Sequence, residues 1–212
     1  MARPTIARTA SAEVEISRSR FVATVHRLAS LDELPELVRL ARRAHPGSRH
    51  VCSAAIAGPH GEASRSNDDG EPAGTAGAPI LSAIAGRDLT DVAVLVVRWF
   101  GGVKLGTGGL VRAYGGIAAD ALDAAGRLER VPATELIGTV AIADAPRIEH
   151  ALRTAGHEPR VVYGTTAAAA EGAELRFTIA DAGLASAEAL LAQLGVAHAA
   201  HGGLLLERPA TP

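Results

Sequence analysis

Two segments of the chain end in the same four-residue pattern, at points where a polar loop gives way to a helical pattern. The first, NDDGEPAGTAG, ends in Gly74-Thr75-Ala76-Gly77, and the second, RWFGGVKLGTGG, ends in Gly106-Thr107-Gly108-Gly109. Threonine is a favoured helix N-cap, and glycine allows backbone N–H groups to approach a neighbour closely. Each segment therefore predicts a helix N-terminus that faces either an anion or another stretch of backbone.

Hydrophobic periodicity divides the chain into two parts, because the pattern of strands and helices begins again at Pro132. Residues 1–132 are expected to form the first domain and residues 133–212 the second. In the first, the pattern predicts strands at 14–16, 21–28, 50–57 and 92–98, and helices after Ser30, at 75–85 and from the second Gly-Thr pattern to Gly126. The apolar run 92–97 predicts a strand buried on both faces, and residues 60–74 are expected to be a long loop.

The second part follows the order strand, helix, strand, strand, helix, strand, which is that of a ferredoxin-like βαββαβ domain. Its elements are expected at 134–142, 146–155, 158–163, 173–179, 184–194 and 201–206. The alanine run 167–170 is expected to be a loop or the entry to a strand, and residues 208–212 are expected to be frayed. The fold class expected for the whole chain is α/β (α+β).

Composition excludes several kinds of site. Cys52 is the only cysteine, which excludes a disulfide framework, a thiolate zinc cluster and a Cys-x-x-Cys pair. The N-terminal sequence has no apolar core of a signal peptide and the longest apolar run is too short to span a bilayer, so we expect a cytoplasmic protein with no membrane contact. Residues 1–132 carry 16 Lys and Arg against 14 Asp and Glu, and residues 133–212 carry 5 against 9. A basic surface over the whole protein is excluded, whereas a local basic patch is not.

The first candidate site is acidic. Asp68, Asp69 and Glu71 lie within four residues on a flexible loop, and hard oxygen ligands so placed could hold Mg²⁺ with help from a bound phosphate. The same carboxylates could instead change conformation or bind a partner, or could serve as the anions that helix N-termini attract. The sequence leaves these three alternatives open, and no other cofactor is indicated.

The second candidate site is the glycine-rich segment with its three cations, Arg98, Lys104 and Arg112. Charge and helix dipole could act there on one anion or on a nucleic-acid backbone, although neither G-x-x-x-x-G-K-[ST] nor G-x-G-x-x-G is present. The alternative is that the glycines serve tight turns and close helix–sheet contact. A third candidate is the basic cluster around Arg49 and His50, which follows a helix bearing Arg39, Arg42 and Arg43.

Residue types for catalysis are scarce. Cys52 lies in a predicted strand and is interpreted as a buried small hydrophobic residue rather than a nucleophile. The sequence contains neither a G-x-S-x-G elbow nor an H-E-x-x-H motif. We therefore expect a protein that is not an enzyme; any activity would use carboxylates and a glycine-cradled anion, as in phosphoryl chemistry.

Three segments, AHPGSRHVCSAAIAG, NDDGEPAGTAGAPIL and VLVVRWFGGVKLGTGGLVRAYGG, are together specific to a known group of proteins. Through them the chain resembles the IMPACT/YigZ family, whose eukaryotic members regulate translation, over nearly its full length. The positions that match the pattern of the family are Asp68, Asp69, Gly70, Glu71, Pro72, Gly74, Thr75, Gly77, Arg98, Gly101, Gly102, Leu105, Gly106, Thr107, Gly108, Gly109, Ala113 and Tyr114.

The resemblance implies an N-terminal two-layer domain similar to domain IV of elongation factor G and to GHMP kinases. It also implies a ferredoxin-like C-terminal domain similar to domain V of the same factor. The family provides no established catalytic residue. Two features depart from it: Trp99-Phe100 stands where relatives commonly have tyrosines, and the acidic C-terminal part is a poor match for nucleic acid.

These observations favour a cytoplasmic, translation-associated regulatory factor that binds RNA, the ribosome or a translation-regulatory protein through its first domain. Arg98, Lys104 and Arg112 are expected to contact phosphate, and Trp99 or Tyr114 to stack on a base. The alternative is a nucleotide- or phosphate-binding protein or enzyme that uses both Gly-Thr helix starts and Mg²⁺ on the acidic loop. The candidate binding residues are Arg49, His50, Arg98, Trp99, Gly101, Gly102, Lys104, Gly106, Thr107, Gly108, Gly109, Arg112 and Tyr114, with Asp68, Asp69, Gly70, Glu71, Gly74, Thr75 and Gly77 as the loop motif.

Overall fold

The computed structural model describes residues 2–164 and 172–209 and shows a mixed α/β protein. Two compact units are present, the first formed by the chain up to Glu129 with Pro209, and the second by Arg130–Arg208. Pro132, the expected boundary, lies inside a continuous strand, Arg127–Ala141. The alanine run 167–170 lies outside the described residues. No helix of the described ranges is long and apolar enough to cross a membrane.

The first unit is built on an antiparallel sheet whose strands lie in the spatial order Ala10–Ile16 (β2), Ser19–Arg27 (β3), Val92–Trp99 (β6), His50–Ala57 (β4) and Ala63–Asn67 (β5). Each pair of neighbouring strands in this sheet is antiparallel. The elements in chain order are β1 (Thr5–Ile6), β2 (Ala10–Ile16), β3 (Ser19–Arg27), α1 (Leu34–Ala44), β4 (His50–Ala57), β5 (Ala63–Asn67), α2 (Gly77–Ala85), β6 (Val92–Trp99), α3 (Gly106–Ala125) and the start of β7 (Arg127–Ala141).

Helices cover both faces of this sheet, so the first unit has three layers and the expectation of two layers was wrong. On one face, α2 and α3 bury Ile80, Tyr114 and Ile117 against alternate residues of the strands. On the other face, α1 packs Leu34, Leu37 and Val38 against the remaining strand residues, which alternate with those of the first face. β6 is the central strand and is apolar from Val92 to Val97, because its two sets of side chains enter two different cores. The predicted burial of this strand on both faces is confirmed.

Local sequence explains where most elements begin. Ser30 forms a capping box with Glu33, since its Oγ accepts from the N–H of Asp32 and its own N–H donates to the carboxylate of Glu33. This cap closes one 3-10 turn that leads into α1. The expected long loop at 60–74 was wrong in part, because residues Ala63–Asn67 form the edge strand β5. All five residues of β5 are exposed, and no hydrophobic alternation reveals the strand in the sequence.

The second unit has the β-α-β-β-α-β order that the sequence predicts. After β7 come α4 (Ala145–Thr154), β8 (Arg160–Tyr163), β9 (Gly172–Ala180), α5 (Leu184–Gln193) and β10 (His198–Pro209). β9 lies between β7 and β8 in an antiparallel arrangement, and β10 pairs with β7. Its core contains Leu136, Ile148, Leu152, Phe177 and Leu191. Arg208 and Pro209 continue β10, so the expectation that these two residues are frayed was wrong, and residues 210–212 lie outside the described residues. The likeness to domains of elongation factor G and to GHMP kinases stays a prediction.

Candidate functional site

A groove of about 480 Å³ opens at one end of the sheet of the first unit. Its walls come from four places: the start of β4, the loop after β5, the end of β6 and the start of α3. Those segments contain the sequence patterns that were singled out as candidate sites. The lining side chains and backbone belong to Arg49, His50, Gly70, Glu71, Pro72, Arg98, Phe100, Lys104, Leu105, Gly106, Thr107 and Leu110.

The floor of the groove is a buried ion pair. Nη1 of Arg98 donates to Oε1 of Glu71 at 2.6 Å, and the hydroxyl of Tyr114 donates to the same oxygen at 2.7 Å. The side chains of Arg98 and Glu71 are only 6% and 4% exposed. Removing either charge would leave the other buried without a counter-ion, which is costly. Arg98 is therefore neutralised from below by Glu71, and the pair fixes the end of β6 to the loop.

His50 borders this pair. Its Nδ1 lies 2.8 Å from the carbonyl oxygen of Asp69, and its Nε2 lies 3.9 Å from Oε1 of Glu71. Because a carbonyl oxygen only accepts, Nδ1 carries the proton in the neutral ring and Nε2 presents its lone pair towards Glu71.

Asp68 caps the helix α2. Its carboxylate accepts from the backbone N–H groups of Gly74 at 2.8 Å, Ala76 at 3.0 Å and Gly77 at 2.7 Å. Burial disfavours the charged carboxylate, but these three N–H donors outweigh burial, so the pKa of Asp68 lies below its ordinary value. The expectation that Thr75 is the cap was wrong, since its hydroxyl donates to the carbonyl of Pro72 instead.

Asp69 ties the same loop to α1 and β4. Both its oxygens accept from Nη2 of Arg42, at 2.9 and 2.7 Å, and Oδ2 also accepts from the N–H of Val51 at 2.6 Å. The three carboxylates of the loop thus face three different sets of donors. Across the described residues, no group of three or more potential metal ligands forms. Of the three roles that the sequence leaves open for these carboxylates, the geometry fits the third, in which they accept hydrogen bonds from donors of the protein itself, including those of one helix N-terminus.

The start of α3 is built differently from that of α2. The helix begins at Gly106 after Leu105, and within the described residues no side chain caps its first turn. Thr107 lies inside the helix, so the expectation that it is the N-cap was wrong. The N–H groups at the start of this 20-residue helix therefore point out of its end with their partial positive charge intact. Gly106 and Thr107 line the groove.

The expected cations divide into three classes. Arg49 and Lys104 line the groove, are exposed, and form no ion pair or side-chain hydrogen bond with any described residue. Arg98 is buried and paired with Glu71, and Arg42 is paired with Asp69. Arg112 lies along α3 beside Gly108, outside the lining of the groove. Two cations, Arg49 and Lys104, are thus available to an anion in the groove.

The aromatic residues do not lie where the sequence interpretation placed them. Trp99 packs on the α1 side of the sheet, with His45 edge-on at 5.4 Å and the guanidinium of Arg20 4.8 Å from its ring centroid. Tyr114 is fully buried beneath the sheet, edge-on to Phe21 at 5.3 Å. Tyr114 therefore cannot stack on a ligand in this conformation, and Trp99 lies outside the lining of the groove. Phe100 does line the groove, and it is 43% exposed.

Sequence reasoning therefore missed Phe100 as a site residue. The signal was the alternation of a strand: residues 98 and 100 project to one side, and Trp99 projects to the other. The glycines have mixed roles. A Cβ on Gly101 would lie 1.8 Å from the carbonyl oxygen of Arg18, and one on Gly77 would lie 2.8 Å from the backbone nitrogen of Asn67, so both allow close backbone contact. Gly70, Gly74 and Gly102 have positive φ angles, and Gly108 and Gly109 lie in the first turn of α3.

Cys52 is a buried residue of β4, as the sequence predicts. Its Sγ donates to the carbonyl oxygen of Asp68 at 3.1 Å. Burial raises the pKa of Cys52 to about 12, and the nearby carboxylates add to that shift. The thiol is therefore a neutral part of the core and not a nucleophile.

Residues 17–122, which hold the whole groove, match the family model of the Impact N-terminal domain. The chain belongs to the IMPACT family. Its relatives include the IMPACT family member YvyE of Bacillus subtilis, 41% identical over 118 residues, which is 56% of this chain and 54% of YvyE. A member from Thermus thermophilus is 43% identical over 148 residues, covering 70% of this chain and 79% of the relative. The predicted resemblance is thereby confirmed.

One solved structure supports the fold of this IMPACT family chain over almost its whole length. A crystal structure of a hypothetical protein has a TM-score of 0.60 and 31% identity, covering 93% of this chain and 97% of the other. The chain nevertheless spans only about half the length of the first curated relatives that it matches.

Proposed function

We propose that this IMPACT family protein is a translation-associated regulatory factor that binds RNA, alone or in the ribosome, through the groove of its first unit. One observation carries the proposal: Arg49, Lys104 and the uncapped start of α3 meet in a single groove without an anionic partner among the described residues. Membership of the family supports the link to translation, which the resemblance of the sequence implies.

The electrostatics of the groove favour an anion over a neutral ligand. Glu71 is the acidic residue of the lining, and Arg98 already pairs with it at 2.6 Å. The remaining charge is that of Arg49 and Lys104, together with the partial positive charge of the N-terminus of α3. Phosphate groups suit such a site, because backbone N–H groups and cations can bind the same oxygens. The phosphate contacts thus fall to Arg49 and Lys104, while Arg98 supports the floor.

The test is association with RNA and ribosomes as a function of salt. Sedimentation of the intact protein with ribosomes should be strong at about 50 mM salt and weak at about 200 mM, as expected for binding through phosphates. For a single strand, loss of two phosphate contacts lowers the slope of log affinity against log salt by about 1.4. We expect that loss for the double variant Arg49→Ala/Lys104→Ala in RNA-binding titrations.

Arg160→Ala provides the matched control. Arg160 is exposed on β8 in the second unit and forms no ion pair with the described residues. Its removal takes away one charge at the surface without touching the groove, so affinity should stay unchanged. Equal loss in the control and groove variants would refute the assignment of the groove. Ribosome association without any RNA affinity would identify a protein partner as the contact.

The volume of the groove favours a second candidate. At about 480 Å³ it lies within the range of pockets for small ligands, so a free nucleotide is an alternative occupant. A thermal-shift screen of nucleotides with and without Mg²⁺ tests it, since a ligand that binds only the folded state raises the apparent stability. A shift that requires Mg²⁺ would support the metal-assisted form, in which Glu71 is the carboxylate of the groove. No shift at millimolar nucleotide would reject this candidate.

A further inference from the structure

The exposed face of Phe100 is the least expected feature of the groove. Phe100 follows β6 directly, and the guanidinium of Arg98 lies 5.6 Å from its ring centroid. Arg98 is itself held by Glu71 and by Oγ of Ser19 at 3.2 Å. The ring thus lies against a buried cation that hydrogen bonds hold in place, with 43% of Phe100 exposed. An aromatic ring supported in this way can receive a flat ligand without losing much conformational freedom on binding.

The open N-terminus of α3 lies in the same groove. Lys104, Gly106 and Thr107 line it at the uncapped start of α3. A second, independent feature also indicates a missing acceptor: Nε of Arg98 is buried and has no hydrogen-bond partner among the described residues, although the side chain lines the groove. A buried donor without a partner is rare in folded proteins. The groove therefore offers an aromatic face at Phe100, beside the guanidinium that carries the unpaired Nε, and open backbone donors at the start of α3.

This pair of features distinguishes between forms of nucleic acid. In a duplex, the faces of the bases are stacked on each other and are closed to side chains. In a single strand, a base can turn outwards and stack on an aromatic ring while its phosphate is bound nearby. We infer that the groove binds a single-stranded segment of nucleic acid, with one base stacked on Phe100 and a neighbouring phosphate at Lys104 and the start of α3. This inference rests on the proposed function and names the form of RNA that the site selects.

Fluorescence anisotropy with a labelled short single-stranded RNA and a duplex of the same length tests the inference. Phe100→Ala should weaken binding of the single strand about 5- to 150-fold, the loss of one stacked base, and leave duplex binding unchanged. Val103→Ala is the control, because Val103 is also apolar and 41% exposed but does not line the groove. It should bind both RNAs as the natural protein does.

The variant Phe100→Trp reports directly on whether a base stacks on the ring at position 100. The natural chain has one tryptophan, Trp99, which faces the other side of the sheet. Binding of the single strand should therefore quench the fluorescence of Phe100→Trp strongly and that of the natural protein weakly. A variant that folds, binds the single strand and shows no additional quenching would overturn the stacking.

The possible failures are distinguishable. If Lys104→Ala weakens binding and Phe100→Ala does not, the proposed function stands and the inference is overturned. If the natural protein binds neither RNA, the proposed function fails as well. Phe100-dependent binding of an acidic peptide, with no binding of the single strand, would also overturn the inference and assign the groove to a protein ligand.

Discussion

Replacing Glu71 by glutamine tests whether the loop carboxylate is the counter-ion that holds the groove together. The two side chains of the pair are 4% and 6% exposed, and Oε1 of Glu71 also accepts from the hydroxyl of Tyr114. Loss of one partner from a buried ion pair typically costs about 3–5 kcal/mol. Glutamine keeps an acceptor for Tyr114, so we expect the free energy of unfolding to fall by about 3 kcal/mol, the lower end of that range.

A double-mutant cycle separates the pair from its surroundings. Arg98→Met should also cost about 3 kcal/mol, because it leaves Glu71 buried without a cation, and the combined variant should cost much less than the two single changes added together. Urea unfolding followed by the fluorescence of Trp99 reports on the first unit alone, since that is the single tryptophan of the chain.

Glu36→Gln is the control, because its pair with Arg39 is exposed to solvent and should contribute little to stability. The reasoning is refuted if Glu71→Gln costs no more than this control. It is also refuted if the effects of Glu71→Gln and Arg98→Met are simply additive, since that result would mean that the two charges are not coupled.

Three further predictions follow from the same contacts. Asp68→Asn should lower the free energy of unfolding by about 1–2 kcal/mol at neutral pH, because the helix loses a charged cap. Since the folded-state pKa of Asp68 is lowered, this stabilisation is complete above the unfolded value near 3.8 and is lost as pH falls through the folded pKa. The urea midpoints of the two proteins should therefore converge in acid, and a constant difference between them would contradict the cap. Cys52 should resist alkylation in the folded protein at pH 8, because a pKa of about 12 leaves about one thiol in ten thousand ionised. The same thiol should react once urea unfolds the chain. Rapid labelling of the folded protein would contradict this prediction, since it would show that the thiol is accessible. Gly101→Ala should destabilise the protein strongly, because the new Cβ would meet the carbonyl of Arg18, whereas Gly116→Ala, in open space on α3, should raise stability by up to about 1 kcal/mol; thermal unfolding of both variants checks the contrast.

The sequence predicts most of the fold because most elements are encoded locally. β4 spans His50–Ala57 as expected, and the apolar run of β6 correctly indicates a strand with two buried faces. Ser30 and Glu33 are close enough in sequence to reveal their capping box. β5 could not be found in this way, because its exposed residues carry no alternation and the strand is held by pairing to β4.

The contacts of the site are less readable because they join distant residues. Asp68 caps α2 from eight and nine residues away, across a loop, whereas the more obvious Thr75 turns away from the helix. Glu71 and Arg98 are 27 residues apart, and a single sequence does not show that they pair. Two motifs that look like parallel helix starts therefore have different roles, since the first is closed by a carboxylate and the second is open to the groove.

The most direct measurement of groove function is an NMR titration of isotope-labelled protein with a short single-stranded RNA. We expect saturable shifts at the backbone amides of Gly106, Thr107 and Gly108 and at Lys104, with salt-dependent affinity, while the amides of Arg130–Arg208 stay nearly unchanged. Shifts confined to Arg130–Arg208, or no shifts at saturating RNA, would contradict the assignment of the groove as the binding site.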